Sequence, residues 1–584
     1  MNALLCTIRT DIINAINGLF KVNMRIEDVV IRKVDENFKG HYSFTLFQIS
    51  KRLGLDFTEC GTKVGKYLLK FSDTIDSYEV IHGFLNLTVK NNVFIQQLQN
   101  IVDDEYYGHQ SKKNETIVVE YSSPNTNKPL HLGHLRNNFI GFAISSILKA
   151  VGYNVVQVCL VNDRGMHICK SMIAYQKLGN DDTPQSTGIK GDHFVGKYYV
   201  EFEKLYKQQV SEYGNDQKVP IMLEVQNMLK MWEEGDNDVR KLWKQMNDWV
   251  YEGFKETYDK IGIHFDKVYY ESQTYLLGKN IINEGLDKYV FLKKDDGSVW
   301  IDLTDDGLDQ KLLLRSDGTS VYITQDLGTA DLRYKDFSAD KMVYVVGNEQ
   351  DYHFNVLKLI LKKLCRKYAD GIYHLSYGMV DLPCGKMKSR EGTVVDADDI
   401  IDEMITKAKE RSEELGKVGK DVTCDRTTIY KRIGLAALKF YMLHINSKKR
   451  LMFDPNKSID FQGDTGPFIL YTYVRIQSIL KKIGRYSKTI DIGVELDKIE
   501  KDLIITMGEY PDKLNESAQC YEPSILAQYL ISLVKMYNRF YEQHSIVNEM
   551  DDHKKNARIC ISAKISYIIE DILSMFGIDI VTVM

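Results

Sequence analysis

The stretch Ile117–Arg136, IVVEYSSPNTNKPLHLGHLR, decides how the rest of the chain is read. It opens on the β-branched run Ile117-Val118-Val119, then Glu120 and Tyr121, a composition that predicts a short buried strand. Polar, turn-forming residues follow from Ser122 to Pro129, and beyond them Leu135, Phe139, Phe142, Ile147 and Leu148 recur at roughly helical spacing. Strand, polar loop and helix N-terminus in succession bind phosphate in doubly wound α/β domains. Here the loop delivers His131-Leu132-Gly133-His134 instead of a glycine-rich cradle. In a first helical turn both imidazoles face the same side. There they can donate hydrogen bonds to a pentavalent phosphate whose charge the helix dipole favours. Gly133 has no Cβ, so a flat base or ribose can approach its backbone. The competing reading, a zinc pair, lacks a Cys or third His at ligand spacing nearby.

A chain of 584 residues predicts three or four domains. Its 44% hydrophobic and 27% charged content is that of a soluble globular protein. The formal net charge of -5 argues against wholesale electrostatic binding of nucleic acid, so any RNA-binding surface is expected to be local. Nine cysteines without a CxxC spacing point to a reduced cytoplasmic protein with no structural zinc. The first twenty residues carry Asp11 and read as an amphipathic helix, not a signal peptide. No apolar run approaches the ~18 residues of a membrane span.

Residues 1–112 alternate helical and strand patterns and read as a separate α+β module that closes with Gly83–Leu87 and a polar linker, Gln110–Asn114. A nucleotide-binding fold is expected over 113–395, with a second strand at Val155–Val161 and an insertion at about 180–300 that splits it. The fold is expected to resume at Ser320–Asp326, with Tyr322 and Asp326 at strand ends, and to continue through the strands Met342–Val346 and Tyr373–Leu382. Residues 396–455 read as a helical connective region, and 456–584 as a helical domain that Gly466-Pro467 punctuates near its start.

A second motif is Gly385-Lys386-Met387-Lys388-Ser389-Arg390-Glu391-Gly392. A basic loop bounded by glycines can close over a nucleotide and neutralise its β,γ-phosphates as pyrophosphate leaves. Together the two motifs resemble the HIGH and KMSKS signatures of class I aminoacyl-tRNA synthetases. The flanks narrow the resemblance. Glu120–Asn125, Lys128–Arg136, Tyr322-x-x-x-Asp326, Gln350 and Gly463-Asp464-Thr465-Gly466-Pro467 are similar to the arginyl-tRNA synthetases, and the similarity covers essentially the whole chain. Gly577-Ile578-Asp579 and Met584 resemble that family's C-terminus, so an untruncated chain is expected. Two departures stand out. Ser389 occupies the place of the second KMSKS lysine, for which the family commonly carries a lysine before the histidine motif, here Lys128. Asn162-Asp163-Arg164-Gly165 departs from the commoner Gly-Asp-Trp-Gly and is assigned no contact.

The resemblance implies a multidomain α/β protein. It would have a split Rossmann-like catalytic domain, an N-terminal α+β domain that binds the tRNA elbow and a C-terminal all-α anticodon-binding domain. It implies an arginine–tRNA ligase that uses ATP with substrate-borne Mg2+, no structural zinc and no membrane, working as a cytoplasmic monomer with L-arginine, ATP and tRNA(Arg). His131, His134, Lys128 and Lys386 are then the catalytic candidates. ATP falls to His131, Gly133, His134, the strand Tyr377-Gly378-Met379-Val380, and Lys386, Met387, Lys388, Ser389 and Arg390. Arginine falls to Glu120, Ser122, Asn125, His134, Tyr322, Asp326 and Gln350. A guanidinium is a planar fork of donors that cannot be deprotonated, so a selective pocket needs fixed carboxylates. Glu120 at the end of a core strand would be costly to bury without a cation; the substrate's guanidinium is the favoured one, and a structural Lys or Arg the lesser alternative. The implied tRNA contacts are Phe84, Asn86, Lys481, Arg485, Tyr529, Asn538 and Met584. A cysteinyl enzyme is disfavoured by the missing zinc ligands. A non-catalytic RNA-binding paralogue is disfavoured by the intact His131, Gly133, His134 and Lys386.

Overall fold

The computed structural model describes residues 3–35, 37–213, 219–383, 395–416 and 425–583. The signature residues Lys386, Met387, Lys388, Ser389 and Arg390, and also Met584, lie outside the described residues. The chain forms two compact units. One holds residues 1–109, 472–516 and 528–571, the other 110–471, 517–527 and 572–584.

In the first unit β1 (Ile31–Lys33), β2 (Tyr42–Thr45), β3 (Ile75–Ile81) and β4 (Phe84–Val89) form an antiparallel sheet in the order β1-β2-β4-β3. The hairpin from β3 to β4 turns through His82 and Gly83, both at positive φ, as a two-residue loop demands when its twist matches the strands. Leu85, Leu87 and Val89 of β4 are buried, whereas Phe84 stays 42% exposed. The remainder of the unit is helical, with Leu503, Leu530, Val534, Tyr537, Ile561 and Ile565 fully buried.

The second unit is built on a five-stranded parallel sheet. Its first strands are β5 (Thr116–Glu120), β6 (Asn154–Val161) and β7 (Lys267–Tyr270). A small antiparallel sheet, β8 (Leu292–Lys293), β9 (Val299–Ile301) and β10 (Lys311–Leu314), follows in the chain. The parallel sheet is completed by β11 (Lys341–Gly347) and β12 (Ile372–Tyr377), in the order β12-β11-β5-β6-β7. A two-residue strand β13 (Val380–Asp381) pairs with β14 (Leu451–Met452). Ile117, Val118 and Val119 are each at most 1% exposed, because helices cover both faces of a parallel sheet. The helix Leu132–Ala150 lies close against the end of β5. A Cβ on its Gly141 would sit 2.3 Å from the Cγ of Tyr121, so only glycine permits that approach.

Two expectations are corrected. Tyr322 and Asp326 are not at strand ends. They lie in the first turns of a helix, Tyr322–Phe337, because Ile323, Leu327 and Ala330 recur at helical spacing and are buried, and that burial overrides the local β-branched composition. The stretch 180–300 is not one insertion. Helices between Pro184 and Ile261 precede β7, which belongs to the main sheet, and β8 begins only after it. β7 is a four-residue edge strand with little burial contrast, so its sequence carries no clear strand signal.

Candidate active site at the carboxyl end of the central strand

The loop leaving β5 is held in an unfavourable backbone. Ser122 and Ser123 have φ of 73° and 43°, a region that costs non-glycine residues energy. Three contacts hold them there. The Ser122 amide donates to Asn137 Oδ1 at 2.5 Å, the Ser122 hydroxyl lies 2.7 Å from that of Tyr258, and Ser123 Oγ donates to Glu120 Oε1 at 2.9 Å. The loop backbone also pairs with the end of β6: Thr126 N donates to Asn162 O, and Asn162 N to Pro124 O.

His131 is the N-cap of the helix Leu132–Ala150. The Gly133 amide donates to His131 Nδ1 at 3.1 Å, and the His131 amide donates to His134 Nδ1 at 3.1 Å. This is a capping box in which both side-chain acceptors are imidazoles. An N–H donor fixes its partner nitrogen as an acceptor, so each neutral ring carries its proton on Nε2. Burial and the Lys128 charge push His131 down to about 4, and burial with the neighbouring His131 pushes His134 well below the usual histidine range. The rings lie 3.9 Å apart, centroid to centroid, as two neutral Nε2–H donors. A Cβ on Gly133 would meet the His131 ring at 3.0 Å, so this glycine makes room first for the capping histidine. Beside His131 a cavity of about 210 Å³ is lined by Lys128, His193, Lys197, Tyr199 and Asp396, and burial lowers the Lys128 pKa. The residues after the second motif are stitched to this turn: Leu132 N donates to Val395 O at 3.2 Å and Ala397 N to Leu130 O at 3.0 Å.

The expected carboxylates come together with partners that the sequence did not announce. Glu120 pairs with the buried Arg333, 2.5 Å from Nη1 to Oε2, so its charge is neutralised from within. Asp326 accepts from His353 Nε2 at 2.5 Å. Both carboxylates act on the buried Tyr344, which β11 sets beside Glu120 and whose phenol burial pushes up to about 12. A further carboxylate, Glu271 at the end of β7, was not singled out. Burial pushes it up to about 7, and Asp163 and Asp326 add to the rise. Arg164 lies 4.0 Å from it but is committed to Glu233 at 2.6 Å and to the face of Tyr275. Desolvated acids around an already engaged guanidinium make a place where a further cation is stabilised. Asp163, in the segment left unassigned, has an internal role: it accepts from Ser272 and Tyr251 and packs the loop. Only the spacing of Glu271 after a weak edge strand could have marked it.

Among the other candidates, Asn125 bridges to Asn162 through its backbone, Tyr322 is 74% exposed, and Gln350 is exposed at the start of the helix Asp351–Lys363. Tyr377 ends β12 with its hydroxyl accepting from Asn137 Nδ2 at 3.2 Å. Gly378 and Met379 then leave the sheet before Val380 opens β13. Asp192, His193 and Asp398 form a ligand-like trio, but Lys190 and Lys260 already pair with it, at 2.6 and 3.1 Å from Asp398.

In the first unit, Phe84 and Asn86 line a groove of about 710 Å³ with Arg32, Lys33, Phe47 and His82. Phe47 meets Phe84 edge-on at 5.9 Å. Lys481 and Arg485 are exposed at and just beyond the end of the helix Gly466–Ile483. Tyr529 is not a surface residue. It is 5% exposed, donates to Thr506 O at 3.0 Å and stacks on Tyr510, because its helix face packs inward. Asn538 is half-buried between Thr472 and Arg475.

Comparison with known proteins follows the same lines. Residues 96–454 match the family model of the catalytic domain of tRNA synthetases class I (R), and residues 469–584 match that of the DALR anticodon binding domain. The chain is 50% identical to an arginine–tRNA ligase of Amoebophilus asiaticus, with 98% of both chains covered. It is 48% identical to that of Flavobacterium psychrophilum, with 97% of both covered. Among solved structures, Thermus thermophilus arginyl-tRNA synthetase superposes with a TM-score of 0.81 at 20% identity, covering 99% of this chain and 100% of that one, a likeness of fold.

The histidine cap generates a stability prediction. His131→Ala should cost about 1 kcal/mol, as for other lost N-caps, while His131→Asn, which can still accept from the Gly133 amide, should cost less. In the parent, the unfolded His131 takes a proton near 6.5 and the folded one only at about 4. The unfolded state therefore binds more protons in between. Its contribution to stability is complete above about 6.5 and lost as pH falls toward 4. Denaturant unfolding of parent and His131→Asn at several pH values checks this. The parent should lose stability faster between pH 6.5 and 4, and parallel curves would overturn the neutral-cap assignment.

Proposed function

The chain belongs to the arginyl-tRNA synthetases, arginine–tRNA ligases of class I, and from that premise we propose how its own residues carry the reaction. The carboxylate of L-arginine attacks the α-phosphate of ATP in line. This yields arginyl-adenylate and pyrophosphate, and the 3′-terminal ribose of tRNA(Arg) then takes the arginyl group as AMP leaves. The protein positions reactants and stabilises charge, with no covalent intermediate on the chain. The Nε2–H groups of His131 and His134 donate to the phosphate as negative charge grows on it. Being neutral, they give hydrogen bonds without giving up a proton. Lys128 reaches the phosphates from the cavity beside His131 and shares that task with Lys386, Lys388 and Arg390, which supports the reading of Ser389 as a replaced lysine. Magnesium arrives with ATP, the backbone of Tyr377–Val380 reads the adenine edge, and Met387 is assigned to ATP with the rest of its motif. No helix among the described residues is long and apolar enough to cross a membrane, and a cytoplasmic monomer without structural zinc is the state we propose.

The observation that carries the substrate assignment is the gathering of Asp326 and Glu271, with burial holding Glu271 at about 7. We assign the guanidinium to these two acids and Tyr322. Glu120, whose charge Arg333 already neutralises, supports the pocket and offers its remaining lone pairs to the α-ammonium. Ser122, Asn125, His134 and Gln350 serve the polar end of the amino acid. The groove at Phe84 and Asn86 fits a stacked nucleotide with phosphates on Arg32 and Lys33, and Lys481 and Arg485 add phosphate contacts. Asn538 with Arg475 is the remaining candidate near the anticodon.

Asp326→Asn keeps the shape and removes the charge. Each lost charged hydrogen bond is worth roughly 1.5–3 kcal/mol, or about one to two decades in kcat/KM. The loss should fall on arginine, while neutral citrulline should be hurt far less. ATP–pyrophosphate exchange with both amino acids, in the presence of tRNA, tests this. Equal losses would make Asp326 a structural partner of His353.

Glu271 gives a pH signature. Below about 7 it holds a proton and cannot compensate a cation. The KM for arginine should therefore rise toward tenfold per pH unit on acidification below that value, as for any ligand that needs the ionised form. The KM for ATP should stay flat over pH 5.5–8.5. Glu271→Gln should remove the arginine dependence, and a surviving dependence would exclude Glu271 as its source.

His131→Asn separates chemistry from folding. The cap remains but the Nε2–H donor is gone, so single-turnover adenylate formation should slow by ~10²–10³, as for one lost transition-state donor. Unchanged rates would remove His131 from the phosphate site.

A further inference from the structure

Arg136 follows the second histidine by two residues and is completely buried. Its Nη1 donates to Gly378 O at 2.7 Å and to Met379 O at 3.2 Å, and its Nη2 to Ser447 O at 3.1 Å and Lys449 O at 2.9 Å. Among the described residues no carboxylate forms an ion pair with it; Glu522 acts on it only at longer range. Burial lowers its pKa to about 10, which leaves it charged at neutral pH.

A buried cation held only by carbonyls, with its Nε left without a partner, is costly, and an apolar side chain would fill the same space without that cost. What the guanidinium adds is geometry. Its planar fork reaches two backbone segments at once, which the point charge of a lysine cannot do. Those segments cross tightly at this place. Gly378 N donates to Ser447 O and Leu451 N to Met379 O, each at 2.9 Å. A Cβ on Gly378 would lie 2.6 Å from the Lys449 carbonyl. Ser447 is in turn held by Glu522, through its amide at 3.0 Å and its hydroxyl at 2.7 Å.

We infer that Arg136 is a positioning residue for ATP: it fixes the backbone of Gly378 and Met379 to the histidine helix, so that adenine and α-phosphate are held at one set spacing. The inference rests on the reading that this backbone recognises adenine. The side chain touches neither nucleotide nor amino acid and acts through the four carbonyls that it holds.

The test compares ATP with inosine triphosphate, which carries a carbonyl where adenine carries its amino group, in exchange assays on the full chain with arginine and tRNA. Arg136→Lys should raise the KM for ATP and lower the ATP-over-ITP preference in kcat/KM, each by about tenfold, as for one weakened hydrogen-bond readout. The KM for arginine should stay within about twofold of the parent, since the amino-acid pocket is not perturbed. Glu522→Gln, which loosens Ser447 and leaves the Arg136 side chain itself in place, should shift the preference the same way by a smaller factor. If the lysine variant does not fold, as thermal melting will tell, the glutamine variant decides alone. Equal losses on both nucleotides, with the preference intact, would make Arg136 a merely structural residue and overturn the inference. Gly378→Ala separates the two layers of the argument. If it alone erodes the preference, adenine recognition stands and the role of Arg136 falls. If no variant erodes it, the adenine reading itself fails and the inference goes with it.

Discussion

The first N–H groups of any helix lack acceptors, and here that requirement is met by the two histidines proposed to serve the phosphate. Gly133 N is taken by His131 Nδ1 and His131 N by His134 Nδ1. The tautomer of both rings follows, since a nitrogen that accepts from a backbone amide cannot carry the proton. Neutrality follows too. Protonation would break the cap and place two cations 3.9 Å apart in a buried turn, a repulsion that low dielectric makes severe. The identity of Gly133 follows from the room His131 takes, and the strained φ of Ser122 is fixed by Asn137 of the same helix. An anion at this helix start therefore meets side-chain donors, because the backbone donors of the first turn are already committed: Leu132 to Val395, and His134 and Leu135 to His131 O.

Charge is arranged by the same economy. Glu120 ends the central strand almost buried, and Arg333 answers it from the helix that also carries Tyr322 and Asp326. That pair consumes one carboxylate, so in the proposed reading selection of an external cation falls to other acids. Glu271 is such an acid, with its nearby guanidinium 4.0 Å away and bound elsewhere. Burial raises its pKa because the charged form is not fully compensated, and binding a cation would relieve this.

How much of this was legible depends on whether a signal was local. β5, β6 and β11 were readable because a fully buried parallel strand is an unbroken β-branched run, and the histidine turn because strand, loop and helix follow one another directly. The helix at Tyr322 was hidden by Val321, Ile323 and Thr324, whose composition suggests a strand while their burial follows a helical period. β7 is a short edge strand without contrast. The partners Arg333, His353 and Glu271 lie far along the chain from Glu120 and Asp326, and no spacing rule joins them. Tyr529 could be placed in a helix but not on one of its faces, and it faces inward.

Sheet topology explains why these distant pieces meet. In the order β12-β11-β5-β6-β7 the chain builds outward from β5 to one side, then returns to build outward on the other. The two halves part between β5 and β11, and such a switch point leaves a crevice at the carboxyl ends of the strands. The parallel register sets Tyr344 opposite Glu120 at that crevice. The histidine helix closes its floor with consecutive residues: Asn137 donates to Val345 O and the Tyr377 hydroxyl, and Arg136 holds Gly378 and Met379 beyond. One helix thus carries the two Nε2–H groups at its first turn and, one turn later, the ties to both strands of the returning half. In-line attack depends on reacting atoms held about 3–3.5 Å apart. A rigid helix that spans the switch point ties the packing of the sheet to the position of its first turn, and in the proposed reading Asn137 and Arg136 act on the reaction through that tie.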